Sequence, residues 1–198
     1  MSDTAIQVLE RLREGNQRFQ NGNLRQARDD QGVVVRKATP VASVLGCVDS
    51  RVAPEFVFDQ SPGDLMTARV AGNVLTEDVL GSLEIACAVA GTRLLVVLGH
   101  SDCVAVRYAC EGTELGTTEA LLSKLRPAID ATEHPVDPSQ RNGKNDEFVT
   151  AVSRCNADLG ARAVIDRSEV LADLQARGEL MVVSAFYDTE SGAVEFQQ

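Results

Sequence analysis

The chain has 198 residues, 44% of them hydrophobic and 24% charged, which is the balance of a globular protein long enough to bury a core. With 29 acidic residues against 19 basic ones the net charge is −10, which argues against nucleic acid or an anionic membrane as a partner. No run approaches the ~18 consecutive apolar residues of a membrane helix, and the opening Met1-Ser2-Asp3-Thr4 lacks the basic and apolar regions of a signal peptide, so a cytoplasmic protein is expected.

Asp3 or Thr4 is placed to cap a first helix running to about Asn21, with Ile6, Leu9, Leu12 and Phe19 roughly on one face. Asn21-Gly22-Asn23 stops it, and the polar stretch 25–32 reads as a surface connection. A Val-containing run at 41–45, preceded by Pro40, predicts a buried strand with Cys47 just past its carboxyl end. Residues 54–58 predict a short helix opened by Pro54, Ser61-Pro62-Gly63-Asp64 a turn, and 65–70 a second strand. Thr76 is placed to cap a helix through Ala90 that Gly91 ends. Residues 94–98 form the clearest buried strand, and His100 lies just beyond it. Helices are predicted over 104–109 and 118–129, followed by an exposed loop over 131–144. Asn145 is placed to cap a helix to about Leu159, and Ser168 another ending near Gly178. Strands at 180–187 and 193–196, around Ser191-Gly192, predict a closing hairpin.

Strands alternating with helices predict an α/β fold: a largely parallel central sheet flanked by helices, with an N-terminal helical arm (1–24) and a C-terminal β-hairpin, in one domain spanning 1–198. Ligands of such sheets bind outside the carboxyl ends of strands, where both Cys47 and His100 fall. Cys47, His100 and Cys103 are a soft donor set of two sulfurs and one nitrogen, which suits zinc better than magnesium or calcium. His100 and Cys103 are three residues apart, so both reach one ion if a helical turn begins there. Cys47 must be brought in by the fold. The total of five cysteines is odd and irregularly spaced, which fits a reducing compartment with two thiols given to a metal better than a disulfide scaffold. Cys87, Cys110 and Cys155 read as core or half-buried thiols. His134 reads as a surface residue, with proton shuttling as the alternative. Asp102 reads either as an acceptor behind a metal ligand or as the cap of the next helix, and Gly72 as a backbone requirement.

Cys47-Val48-Asp49-Ser50-Arg51, Arg69-Val70-Ala71-Gly72-Asn73, Gly81-Ser82-Leu83-Glu84 and Gly99-His100-Ser101-Asp102-Cys103, in this order, resemble the β-class carbonic anhydrases. The closing Ala185-Phe186-Tyr187-Asp188 and Gly192-Ala193-Val194-Glu195-Phe196 extend the likeness over most of the chain. The resemblance implies reversible hydration of carbon dioxide to bicarbonate by zinc-bound hydroxide, with Cys47, His100 and Cys103 as zinc ligands and Asp49 and Arg51 as a catalytic dyad. It also implies a closed state in which Asp49 becomes a fourth ligand, a substrate pocket that includes Met66, Ala71 and Val104, and a homodimer or higher even oligomer.

Three positions depart from the residues this family usually carries. Val104 stands in place of Gly, Met66 in place of Phe, and Ala38 in place of a Gln that donates to the substrate. A β-branched residue at 104 resists positive φ, so strain and a slow hydratase are expected if that conformation is required. A more apolar pocket suits hydrolysis of carbonyl sulfide or carbon disulfide as the alternative reaction. A catalytically weak zinc protein with a binding role is the third reading.

Overall fold

The structure is a computed structural model that describes residues 3–25, 38–113 and 115–197. The predicted surface connection lies outside them from residue 26 onward. Five strands form one sheet in the order β2-β1-β3-β4-β5, with β1 Ala42–Gly46, β2 Leu65–Arg69, β3 Leu94–His100, β4 Met181–Tyr187 and β5 Val194–Gln197. The first four strands are mutually parallel, and β5 returns antiparallel to β4 around Gly192 at φ +75°. β1 and β3 are buried at every residue, as their unbroken apolar runs require of strands covered on both faces.

Successive side chains along β1 and β3 enter opposite cores. Val44, Val96 and Leu98 join the core beneath the first helix, α1 (Ala5–Gln20), through its Val8, Leu9 and Leu12. Leu45, Leu95 and Val97 join the core built with α3 (Glu77–Glu84), α7 (Asp146–Arg167) and α8 (Glu169–Ala176). A third cluster joins Cys47 and Cys103 to α4 (Val104–Glu111), α6 (Arg126–Ala131) and Phe148, Val149 and Val152 of α7. Two short helices, α2 (Pro54–Val57) and α5 (Glu119–Leu122), complete the α-helices among the described residues. Among the described residues no helix is long and apolar enough to cross a membrane.

Local chemistry sets the helix ends. Thr4 and Gln7 form a reciprocal capping box on α1, and Thr76, Asn145 and Ser168 accept backbone N–H groups at the starts of α3, α7 and α8. α1 is seated on the sheet rather than held away from it. Its buried Asn16 donates to the carbonyls of Val57 and Gly192 and accepts from Val194 N.

Three expected boundaries differ. The helix predicted over 118–129 is broken into α5, a 3₁₀ turn at Ser123–Leu125, and α6. Pro127 lacks an N–H and its ring crowds the carbonyl four residues back, which tightens the chain there. The helix beginning after Asn145 runs on past Leu159 to Arg167, because Gly160 lies close against Val97 instead of ending it. The helix after Thr76 changes to one π-helical turn at Ile85–Val89.

Candidate metal centre

Parallel β1 and β3 are neighbours, so Cys47, one residue beyond β1, and His100, the last residue of β3, emerge side by side at the carboxyl edge. Cys103 follows at the N-cap of α4. The chain turns between them at Asp102, whose φ of +52° lies in the left-handed region, more accessible to aspartate than to most residues. The donor atoms of Cys47, His100 and Cys103 lie within 4.8 Å of one another, and all three residues are buried. The two sulfurs are 4.0 Å apart.

The electronic state of this cluster follows from its partners. His100 Nδ1 lies 2.8 Å from the Ser101 carbonyl, which can only accept, so Nδ1 carries the proton and Nε2 is a bare acceptor. That Nε2 is buried without a hydrogen-bond partner. Cys47 Sγ accepts a hydrogen bond from Gly72 N at 3.3 Å. The Cys47 thiol is held well below its ordinary pKa, chiefly by the Cys103 thiol, against the opposing effect of burial, and further by the backbone N–H groups of Asp49 and Gly72. Cys103 is pushed up by its hydrogen bond to Cys47 and by burial. An orphaned imidazole nitrogen thus stands beside two buried sulfurs. A soft divalent cation would satisfy all three donors, so the donor set fits zinc.

Asp49 is not part of the cluster. Arg51 holds both of its oxygens: Nε donates to Oδ1 at 3.0 Å, NH2 to Oδ2 at 2.8 Å, and the Arg51 backbone N–H to Oδ1 at 2.9 Å. These bonds, the guanidinium's first among them, lower the Asp49 pKa to about 2. Arg51 also donates to Asp102, whose carboxylate accepts from Arg107 on its other oxygen. Asp102 is thus neither free nor the cap of α4, which begins at Cys103 without a side-chain cap. Gly72, at φ +65°, meets a backbone need and also presents its N–H to the Cys47 sulfur.

A cavity of about 450 Å3 opens beside Cys47, Asp49 and Arg51, walled by Val48, Ala71, Val104, Tyr108, Leu121 and Leu122. Val104 and Ala71 both line this cavity. Met66 is paired with Ser43 in mid-strand and is not on this wall, and Ala38 is exposed ahead of β1 and also off it. The strain expected at Val104 is absent. Val104 is the first residue of α4, and the positive φ sits two residues earlier, at Asp102. Cys87 is buried in the sheet core, Cys110 and Cys155 are half-buried, and His134 is exposed.

The sequence reading gave no role to Arg69, Arg107 or Tyr108. Tyr108 was within reach, since it follows Val104 by four residues on one helical face. Leu121 and Leu122 were not, because the broken segment from 116 to 125 brings them to the cavity.

The fold, with a Cys-His-Cys cluster at the carboxyl edge of a parallel sheet, is that of the β-carbonic anhydrases. A b-carbonic anhydrase of Aspergillus fumigatus superposes with a TM-score of 0.74 at 24% identity, over 92% of this chain and 87% of that one. A structure of tetrameric β-carbonic anhydrases from Sordaria macrospora gives a TM-score of 0.71 at 19% identity over 96% of both chains. In sequence, the carbonic anhydrase family model matches residues 42–194. Carbonic anhydrase 2 of Mycobacterium tuberculosis is 33% identical over 186 residues, 91% of this chain and 87% of the relative. The chain belongs to the β-carbonic anhydrase family.

Proposed function

We propose that this protein hydrates carbon dioxide reversibly to bicarbonate, with one zinc ion held by Cys47, His100 and Cys103. The observation that carries the reading is the buried, unpartnered Nε2 of His100, clustered with the sulfurs of Cys47 and Cys103 within 4.8 Å. When bound, zinc supplies a Lewis acid able to lower the pKa of a coordinated water to about 7.

The chain's own residues supply orientation and exclusion. Asp49 is the catalytic carboxylate. Ionised at any pH above about 2, it offers an Oδ2 lone pair not taken by Arg51, which accepts a hydrogen bond from the attacking water. Arg51 fixes that carboxylate by a two-point grip, so its acceptor direction is set before substrate arrives. The aliphatic faces of Val48, Ala71, Val104 and Leu121 exclude bulk water and accept a small neutral molecule. The Asp49–Arg51 bonds support an arrangement in which this carboxylate stays off the metal. A stopped-flow assay of zinc-loaded protein tests the reading. Wild type is expected to hydrate carbon dioxide and Asp49→Ala to lose most of that rate, about a hundredfold or more. Equal turnover in the two proteins refutes the role of Asp49.

The apolar wall supports one second reading, hydrolysis of carbonyl sulfide or carbon disulfide, which the same assay with those substrates separates. A purely structural zinc site leaves the Asp49–Arg51 pair without a purpose. We further infer a homodimer or a multiple of it, supported by Val48 and Val104 on the cavity wall, apolar yet 55% and 53% exposed in one chain. Sedimentation of an active monomer would refute it. A cytoplasmic location accords with five free cysteines, none of them disulfide-bonded.

A further inference from the structure

Arg51 has more donors than Asp49 uses. Its NH1 donates to Asp102 Oδ2 at 3.1 Å, and its NH2 approaches the Asp102 carbonyl at 3.3 Å. The other oxygen of Asp102 is held by Arg107 NH2 at 2.9 Å. Arg107 is itself anchored away from the cavity. Its NH1 donates to the Gly143 carbonyl at 2.5 Å and its NH2 to Asp146 Oδ1, the first residue of α7, at 2.9 Å. A continuous chain of charge-assisted contacts therefore runs Asp49–Arg51–Asp102–Arg107–Asp146.

The far end of that chain is built to close tolerance. A Cβ on Gly143 would stand 2.5 Å from the Arg107 carbonyl oxygen and 2.3 Å from Glu111 Cγ, so only glycine lets the 143–146 segment press against α4 at this height. The near end sits on a turn that holds a non-glycine residue at positive φ. Solvent reaches much of the network, so its contribution to global stability is small. Its consequence is geometric. With Asp102 gripped from both sides, the guanidinium of Arg51 has one orientation, and that orientation presents Nε and NH2 to the two oxygens of Asp49.

We propose that Arg107 is a positioning residue of this site: by holding Asp102 it fixes Arg51 against Asp49, and it ties that orientation to the segment at the start of α7. The effect on turnover rests on the catalytic role given to Asp49 above. The effect on Arg51 itself does not.

The test measures both on zinc-loaded, 15N-labelled protein. The Arg51 Nε–H resonance, identified by its loss in Arg51→Lys, reports the grip through its exchange with solvent. In Arg107→Ala this exchange is expected to run about tenfold faster, the scale of one charge-assisted hydrogen bond lost. kcat is expected to fall several-fold, with zinc content and KM unchanged. Arg107→Lys, which keeps one contact of three, is expected to lie between. Gly143→Ala, which touches neither ligand nor dyad, is expected to speed Arg51 exchange in the same direction, and it decides the matter if Arg107→Ala does not fold. An Arg51 signal that exchanges at the wild-type rate in the folded variants overturns the proposal, whatever happens to turnover. Loss of zinc from Arg107→Ala also overturns it, since Arg107 would then be holding the turn between His100 and Cys103. If wild type hydrates no carbon dioxide, the proposed function fails while the Arg51 signal still decides this inference.

Discussion

Arg69, at the end of β2, holds the backbone of the loop that carries Asp49: its NH2 donates to the Asp49 carbonyl at 2.6 Å and its Nε to the Cys47 carbonyl at 2.8 Å. Parallel pairing of β1 with β2 sets Arg69 opposite Gly46, so the guanidinium arrives one residue before the first thiol. One side chain thus holds the backbone that carries both the Cys47 thiol and the Asp49 carboxylate without touching either side chain.

Arg69→Ala is therefore expected to weaken zinc binding by about tenfold, as loss of a group that orients metal ligands typically does. A competition titration against a chromophoric chelator measures this. Arg69→Lys, which cannot span both carbonyls, should recover little of the loss. Wild-type affinity in the alanine variant would show that the loop holds its shape unaided.

Cys47→Ala and Cys103→Ala are each expected to lose stoichiometric zinc, read by metal analysis of purified protein. Removing zinc from wild type with a chelator should also lower the melting temperature, because a ligand bound only by the native state stabilises it by mass action. Full zinc retention in either cysteine variant would contradict the donor set.

The N-terminal helix shows where sequence reading stops. Leu9, Leu12 and Phe19 of its expected stripe pack against the core and its two ends are legible, but Ile6 is exposed and Val8 is buried in its place. Its docking is not, because that depends on Asn16, a polar residue within the apolar stripe that is buried and bonded to Val57, Gly192 and Val194. Gly15, one residue earlier, lies so close to the Phe58 carbonyl that a Cβ would stand 1.8 Å from its oxygen. Asn16→Ala should cost about 2–4 kcal/mol, since it strands three partners, at the end of α2 and in the closing hairpin. Gly15→Ala should cost at least as much by forcing α1 off the sheet. Chemical denaturation measures both, and a change below ~0.5 kcal/mol in either would mean that α1 contributes little to the fold.

The metal cluster was legible for a different reason. Strand ends are readable from runs of apolar residues, and parallel-sheet topology converges those ends, so Cys47 and His100 could be brought together from the sequence. The contacts behind them could not. Asp102 meets Arg51 and Arg107 only because the chain turns through a positive φ, and Leu121 and Leu122 reach the cavity only because Pro127 breaks a helix that otherwise reads as continuous.

Asp188 gives a pH-dependent contribution whose sign is fixed. Its Oδ1 accepts from Ser191 N, Ser191 Oγ and Glu190 N in the hairpin turn, and these bonds, Ser191 N–H first, depress its pKa below the ordinary aspartate value. A depressed carboxylate pKa stabilises the fold above the unfolded-state value, and that stabilisation is lost as pH falls through the folded-state value. Asp188→Ala should lower the melting temperature by a few degrees at pH 7, about 1 kcal/mol for a solvent-accessible turn. The difference from wild type should shrink as pH falls through and below the ordinary aspartate range. A difference constant from pH 7 to pH 3 would show that the charge of Asp188 is irrelevant to the turn.

Val104 is the position where sequence and structure part most clearly. A valine where the family resemblance leads one to expect glycine suggests a strained backbone next to Cys103, and hence a rate gain on reversion. The backbone removes that premise: Val104 opens α4 in helical geometry, Asp102 takes the positive φ, and the valine side chain is 53% exposed on the cavity wall. Val104→Gly therefore relieves no strain. It lowers helix propensity at the first position of α4 by up to ~1 kcal/mol and enlarges the cavity by one isopropyl group. Carbon dioxide turnover of zinc-loaded Val104→Gly should stay within about twofold of wild type, well short of the tenfold that ~1.4 kcal/mol of relieved strain would yield. If the valine wall instead favours a larger apolar substrate, Val104→Gly should depress carbon disulfide hydrolysis selectively, because the lost methyl contacts act only on a molecule long enough to reach them. A tenfold gain in carbon dioxide turnover would mean that the valine side chain itself obstructs the reacting position, and the open cavity beside Asp49 would then not be the route by which substrate arrives.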